Sequence, residues 1–147
     1  MTLYLRGVRG ATTVDDNSSA AILKGTRELL ALMIRSNDID PSDVCSVFFT
    51  TTRDLDAEFP ALAARQLNWM SVPLMCGNEM PVPGALQKCI RVLIHWNTTK
   101  NPSEIIHVYI RDAVRLRPDI LSLPPVDWNE LNAWIDENIN ATIHSSR

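Results

Sequence analysis

Apolar and polar residues alternate from Leu3 to Val14, which predicts a first strand with Leu3, Leu5, Gly7 and Arg9 on one face and Tyr4, Arg6 and Val8 on the other. The period then changes. Asn17, Ser18 and Ser19 are cap residues for a helix in which Ile22, Leu23, Leu29, Leu30 and Met33 recur at helical spacing until Asn37-Asp38 ends it. Asp40-Pro41 reads as a cap with proline at the first helical position, good for about one turn. The β-branched and aromatic run Val44 to Thr51 then predicts a central strand. Phe59-Pro60 opens a short alanine-rich helix reaching Leu67, and Trp69 to Cys76 predicts a third strand, placed at a sheet edge because Pro73 has no N–H to give to a ladder.

Two prolines and two glycines make Gly77 to Gly84 a loop, and Glu79 is a carboxylate set between two apolar runs. Cys89 to Trp96 reads as a fourth strand with Cys89, Arg91 and Leu93 on one face. Ile105 to Ile110 reads as a fifth, after the turn at Lys100-Asn101-Pro102. Pro124-Pro125 breaks the chain again. Beyond it Asp127 can cap a helix whose Trp128, Leu131, Trp134, Ile135 and Ile139 form one apolar stripe. The expected organisation is a mixed α/β (α+β) domain over residues 1–121 and a C-terminal extension, 122–147, forming an amphipathic helix.

The chain has 147 residues, and one domain of that length buries about 68% of its unfolded surface, enough for an ordinary core. A net charge of −3 and a pI near 5.5 argue against nucleic acid and anionic membrane as partners, since either needs a basic excess on one face. Cys45, Cys76 and Cys89 cannot all pair with one another, and their scatter fits neither a disulfide framework nor a metal site. Met1 leads into the first strand within two residues and no apolar run reaches the length of a membrane span. The expected location is the cytoplasm, or the mature form of an imported protein.

Within that acidic chain, eleven of the fourteen basic residues are arginine, and Arg6, Arg9 and Arg91 interrupt strand-like apolar runs. A guanidinium is weakly hydrated and offers a rigid fork of donors that matches a carboxylate, so it suits a half-buried anion site. The bland alternative is pairing with the protein's own carboxylates. No Ser-His-Asp arrangement, phosphate-cradling loop or His/Cys metal cluster accompanies these arginines, and His95 and His107 fall in predicted strands, where a hydrogen-bonded structural histidine is the ordinary outcome. Acid–base and covalent catalysis are therefore not indicated, which leaves electrostatic stabilisation by arginine.

Five separated motifs, in order, carry a resemblance. They are Arg6-Gly7-Val8-Arg9-Gly10-Ala11-Thr12-Thr13-Val14; Phe59-Pro60-Ala61 with Arg65; Val72-Pro73 with Cys76 and Glu79-Met80; Lys88-Cys89-Ile90-Arg91-Val92; and His107-Val108-Tyr109 with Leu116-Arg117-Pro118-Asp119. Together they resemble the monofunctional AroH-type chorismate mutases up to about Asp119. The resemblance implies a homotrimer forming a pseudo-barrel, with a site in each intersubunit cleft. It also implies an isomerase of the shikimate pathway of aromatic amino acid biosynthesis, converting chorismate to prephenate by a [3,3] rearrangement without cofactor or metal.

By position, the resemblance makes Arg91 the donor to the breaking ether oxygen and Glu79 the carboxylate facing the developing positive charge. Arg9 and Tyr109 would hold a substrate carboxylate. Phe59, Ala61, Leu74 and Cys76 would form an apolar wall, while Arg65 and Arg117, with Leu116 beside it, would stand at the mouth. Arg6, on the opposite face from Arg9, reads as structural. Leu62 and Met75 depart from the family, which commonly has lysine and threonine there. The extension from Ser122 exceeds the family's short C-terminus, and either packing on a neighbouring subunit or restraint of the segment carrying Arg117 would suit it. The competing expectations are a non-catalytic trimeric module binding a small dicarboxylate and an imine-hydrolysing trimer of similar outline.

Overall fold

The computed structural model describes residues 1–139, so the last part of the expected extension lies outside the described residues. The strands are β1 (Tyr4–Thr13), β2 (Val44–Thr51), β3 (Leu74–Asn78), β4 (Cys89–Thr98) and β5 (Val108–Tyr109). The helices are α1 (Ser19–Asn37), α2 (Ala61–Gln66) and α3 (Trp128–Asn138). The strands form one mixed sheet in the order β3-β2-β4-β1-β5. β4 runs antiparallel to both neighbours, with Arg91 opposite Ala11 on one side and Thr50 on the other, whereas β2–β3 and β1–β5 are parallel pairs.

Strand alternation divides the sheet into two unlike faces. Val8, Val47, Phe49, Val92, Ile94 and Trp96 are buried beneath the helices in one core that includes Leu29, Leu30 and Met33 of α1 and Leu131 and Ile135 of α3. α1 lies so close to β1 that a Cβ on Gly10 would collide with Met33 and Leu29, which accounts for a glycine in the middle of this strand. Leu5, Phe48 and Met75 point the other way and remain exposed. The cap of α1 is Ser18, whose Oγ accepts from the Ala21 amide, and the helix ends at Asp38 in a left-handed conformation (φ 57°).

Two predicted strands are shorter than their apolar patterns. Trp69 and Val72 are buried loop residues, and pairing begins only at Leu74, because Pro73 contributes a carbonyl to Val47 N–H but has no N–H of its own. The fifth strand contracts to two residues. Asn37 takes up both backbone groups of Ile106, with Oδ1 accepting from its N–H and Nδ2 donating to its C=O, each at 2.8 Å, and His107 uses its ring on β1. A short 3-10 turn, Arg111–Leu116, follows β5.

Candidate active site

The open face of the sheet carries a hollow of about 340 Å³ lined by Arg9, Phe48, Thr50, Glu79, Arg91 and Tyr109, among others. Arg91 reaches it because strand parity turns its side chain away from the buried Ile90 and Val92, and the small residues opposite, Ala11 and Thr50, leave room for the guanidinium. Glu79 follows β3 directly, held by its N–H on the Thr51 carbonyl at 2.9 Å. Its carboxylate accepts from Thr50 Oγ1 and from Arg91 Nη1, the latter at 3.1 Å. Both side chains remain partly open to solvent, a setting in which an ion pair adds only about 0–1 kcal/mol to stability. Fold stability therefore does not explain the pair.

Arg9 stands on the same face, and its backbone N–H donates to His107 Nδ1 at 3.0 Å. That bond requires an unprotonated Nδ1, and burial followed by the charges of Arg9 and Arg117 pushes the imidazole below its ordinary pKa. Tyr109 is buried opposite Ala11, and Leu116 packs against both. Arg117 makes a fork to Asp119 (Nε to Oδ1 2.9 Å, Nη2 to Oδ2 2.8 Å), which lowers the Asp119 carboxyl to about 2. In this chain Arg117 is thus paired with a neighbour that a second anion would have to displace.

The remaining predicted residues gather elsewhere. Phe59, 66% exposed, and Cys76 line a separate cleft of about 440 Å³ at the β3 edge, beside Thr51, Leu55 and Pro60. Ala61 is buried at the start of α2, Arg65 is half-buried near its end, and Leu74 is half-buried against the core. Cys76 is held protonated by burial, partly offset by the Ala61 amide and Arg65, and Cys89 is pushed up to about 11, chiefly by burial. Burial thus disfavours the reactive thiolate form in both.

Sequence reasoning did not single out Thr50, Phe48 or the anchoring role of His107. Thr50 and Phe48 share the parity of Arg91 across the β2–β4 pairing, so the strand pattern contained a signal that only the register makes readable. His95 is likewise hydrogen-bonded, to Ser46 Oγ through Nδ1 at 3.1 Å, and Arg6 donates to the Lys100 carbonyl at 3.1 Å while lying over the Tyr4 ring.

Residues 5–120 match the family described as chorismate mutase type I. The chain belongs to that family. A chorismate mutase AroH of Thermus thermophilus is 49% identical over 119 residues, covering 80% of this chain and 98% of the relative. The chorismate mutase AroH of Bacillus subtilis is 44% identical over 119 residues, covering 80% of this chain and 94% of the relative. Among solved structures, a chorismate mutase from Clostridium thermocellum superposes with a TM-score of 0.73 at 50% identity, covering 74% of this chain and 96% of that one. Against the family pattern, Leu62 is 3% exposed and belongs to the core, so it places no charge near either hollow, and Met75 is 63% exposed on the open face of the edge strand. Among the described residues no helix is long and apolar enough to cross a membrane.

Proposed function

We propose that this chorismate mutase family member converts chorismate to prephenate, working as a homotrimer in the cytoplasm with no cofactor. The observation that carries the reading is Arg91 facing Glu79 in a hollow that also contains Arg9 and Tyr109. A module built only to bind a dicarboxylate gains nothing from Glu79, because a fixed carboxylate in an anion site repels its own ligand. A rearrangement in which electron density moves toward the ether oxygen and away from the ring uses both signs of charge. Arg91 donates to the oxygen that acquires negative charge, and Glu79 accepts from the ring hydroxyl and faces the fragment that becomes positive. Arg9 and Tyr109 anchor a carboxylate. Such preoriented charges act at the transition state without reorganising, and holding the substrate in a folded conformer removes part of the barrier in advance.

The partition of the candidate residues supports an intersubunit site. In one chain the charged hollow on the open face and the Phe59/Cys76 cleft at the β3 edge share no lining residue. Bringing the edge of a second copy onto the open face would join the apolar wall of Phe59, Ala61, Leu74 and Cys76, and Arg65 with it, to Arg91, and would cover Leu5, Phe48 and Met75, which are exposed in the single chain. Arg117 and Leu116 would close the mouth. The test is loss of chorismate's ultraviolet absorption in the presence of purified protein, combined with solution mass. Prephenate formation by a trimer is expected; an active monomer would remove the shared site, and an inert trimer would return the dicarboxylate-binding module to first place.

A further inference from the structure

The family match ends at residue 120, and α3 lies wholly beyond it. Besides Leu131 and Ile135 in the core, the contact of Arg35 with the Trp134 ring and the bond from Asn68 Nδ2 to the Asn138 carbonyl, two groups of contacts hold this helix to the domain. On its outer side Glu130 receives a fork from Arg35 at 2.9 and 2.7 Å, both side chains well exposed. On the other side Trp128 lies under the guanidinium of Arg111, 4.5 Å from Cζ to ring centroid, and Asn132 Nδ2 donates to Glu28 Oε2 at 2.9 Å. Arg111 Nη2 donates to Oε1 of the same carboxylate, also at 2.9 Å. The Glu28 side chain is only 4% exposed, and its two carboxylate oxygens are met by these donors, one from the extension and one from Arg111.

Arg111 is the first residue of the 3-10 turn that ends at Leu116, directly before Arg117, which the proposed function assigns to the mouth of the site. Its φ of 53° lies in the left-handed region, which a long side chain keeps only when its surroundings hold it there. The rest of the turn rests on Asp112 N–H bonded to Thr13 Oγ1 at 3.2 Å, on the Ala113 amide bonded to the Ile110 carbonyl at 3.1 Å, and on buried Ala113 in the cluster of Ala11 and Tyr109 against which Leu116 packs. We infer that α3 is a positioning element for the substrate-binding segment: Trp128 and Asn132, through Arg111 and Glu28, hold residues 111–117 in the conformation that presents Leu116 and Arg117 to the site. The identity of the substrate rests on the chorismate mutase reading; the mechanical coupling does not. Releasing the clamp lowers the fraction of molecules with a competent mouth, which weakens apparent substrate affinity by that fraction and leaves the chemical step alone.

The full-length protein and its Trp128→Ala, Trp128→Phe, Asn132→Ala and Glu130→Gln variants are compared by steady-state kinetics on chorismate and by amide hydrogen exchange over 112–117 without substrate. Losing a cation–ring contact should raise KM about threefold to tenfold with kcat within about twofold, and exchange over 112–117 should quicken. Trp128→Phe keeps a ring face and should recover most of both effects, while Glu130→Gln, which loosens only the outer anchor, should move neither. If Trp128→Ala does not fold, Asn132→Ala is read by the same criteria. Unchanged exchange over 112–117, or equal effects from Glu130→Gln, would overturn the inference even with an active wild type. An inactive wild type whose exchange still responds to Trp128→Ala would overturn the substrate assignment and leave the clamp standing.

Discussion

Ile90, Val92 and Ile94 alternate with Arg91 and Leu93 along β4, and the two sets end in different media. The even-numbered set is buried in the cores beneath the helices, while the odd-numbered set faces the open side where Arg9, Glu79 and Tyr109 gather. One strand thus does two jobs that would conflict if they shared a face. A guanidinium cannot be left unpaired in an apolar core, and an apolar core cannot be opened to substrate. The teaching is that the positional accuracy of Arg91 is borrowed from its neighbours, because a backbone pinned by fully buried Ile90 and Ile94 holds the intervening side chain where two smaller residues, Ala11 and Thr50, leave it room.

If the open face holds the chemistry, the largest effect should come from Arg91→Ala. Removing one preorganised donor typically costs about 10²- to 10³-fold in kcat, and more when a full charge is lost. The prediction is a large fall in kcat with a smaller rise in KM and an unaltered urea midpoint. Arg91→Lys should stay badly impaired because it keeps the charge without the fork. A folded Arg91→Ala variant turning over at the wild-type rate would disprove the mechanism whatever the family.

Three places further along β4, on the covered face, Ile94→Ala should show the reverse signature. Emptying a fully buried isoleucine costs about 2–5 kcal/mol of stability, measurable by denaturant unfolding, while the protein that remains folded should keep its kcat. A variant of normal stability and low activity would mean that the covered face also serves the site. Arg6 tests the same division on β1. It sits on the covered side with its Nε on the Lys100 carbonyl, so Arg6→Ala should cost about 1 kcal/mol and leave KM unchanged, whereas Arg9→Ala should raise KM.

The smallest expected effect is a pH dependence at the seam between the faces. His107 has its pKa lowered by burial, Arg9 and Arg117, so the folded protein holds it neutral while the unfolded chain takes up a proton as pH falls through about 6.5. Its contribution to stability is therefore complete above that value and is lost as pH drops toward the lowered folded pKa. The urea midpoint should decline as pH falls through about 6.5, above the usual carboxylate range, and His107→Gln should flatten that decline. A midpoint that is already flat in the wild type would show that His107 does not titrate with folding.

Much of this division was readable before any coordinates. Period-2 alternation separated Arg6 from Arg9 and put Cys89, Arg91 and Leu93 together, and Ser18 and Asp38 marked the ends of α1 where local capping chemistry puts them. Apolar runs misled where burial arose without pairing. Trp69 and Val72 are as buried as strand residues but sit in a loop, and Asn37, distant in sequence, took the backbone groups that would have extended β5.

Local spacing and residue identity were enough for most helices and strands, for the face each strand side chain takes, and, through five ordered motifs, for the family, because all of these depend on interactions within a few residues or on which residues are present. Tertiary packing settled the order β3-β2-β4-β1-β5, the contact of Arg91 with Glu79, the division of the candidate residues between the charged hollow and the Phe59/Cys76 cleft, and the contact of Trp128 in α3 with Arg111. Those features join residues far apart along the chain, and pairwise choices of that kind are settled by how the whole set of buried surfaces and hydrogen bonds is satisfied at once.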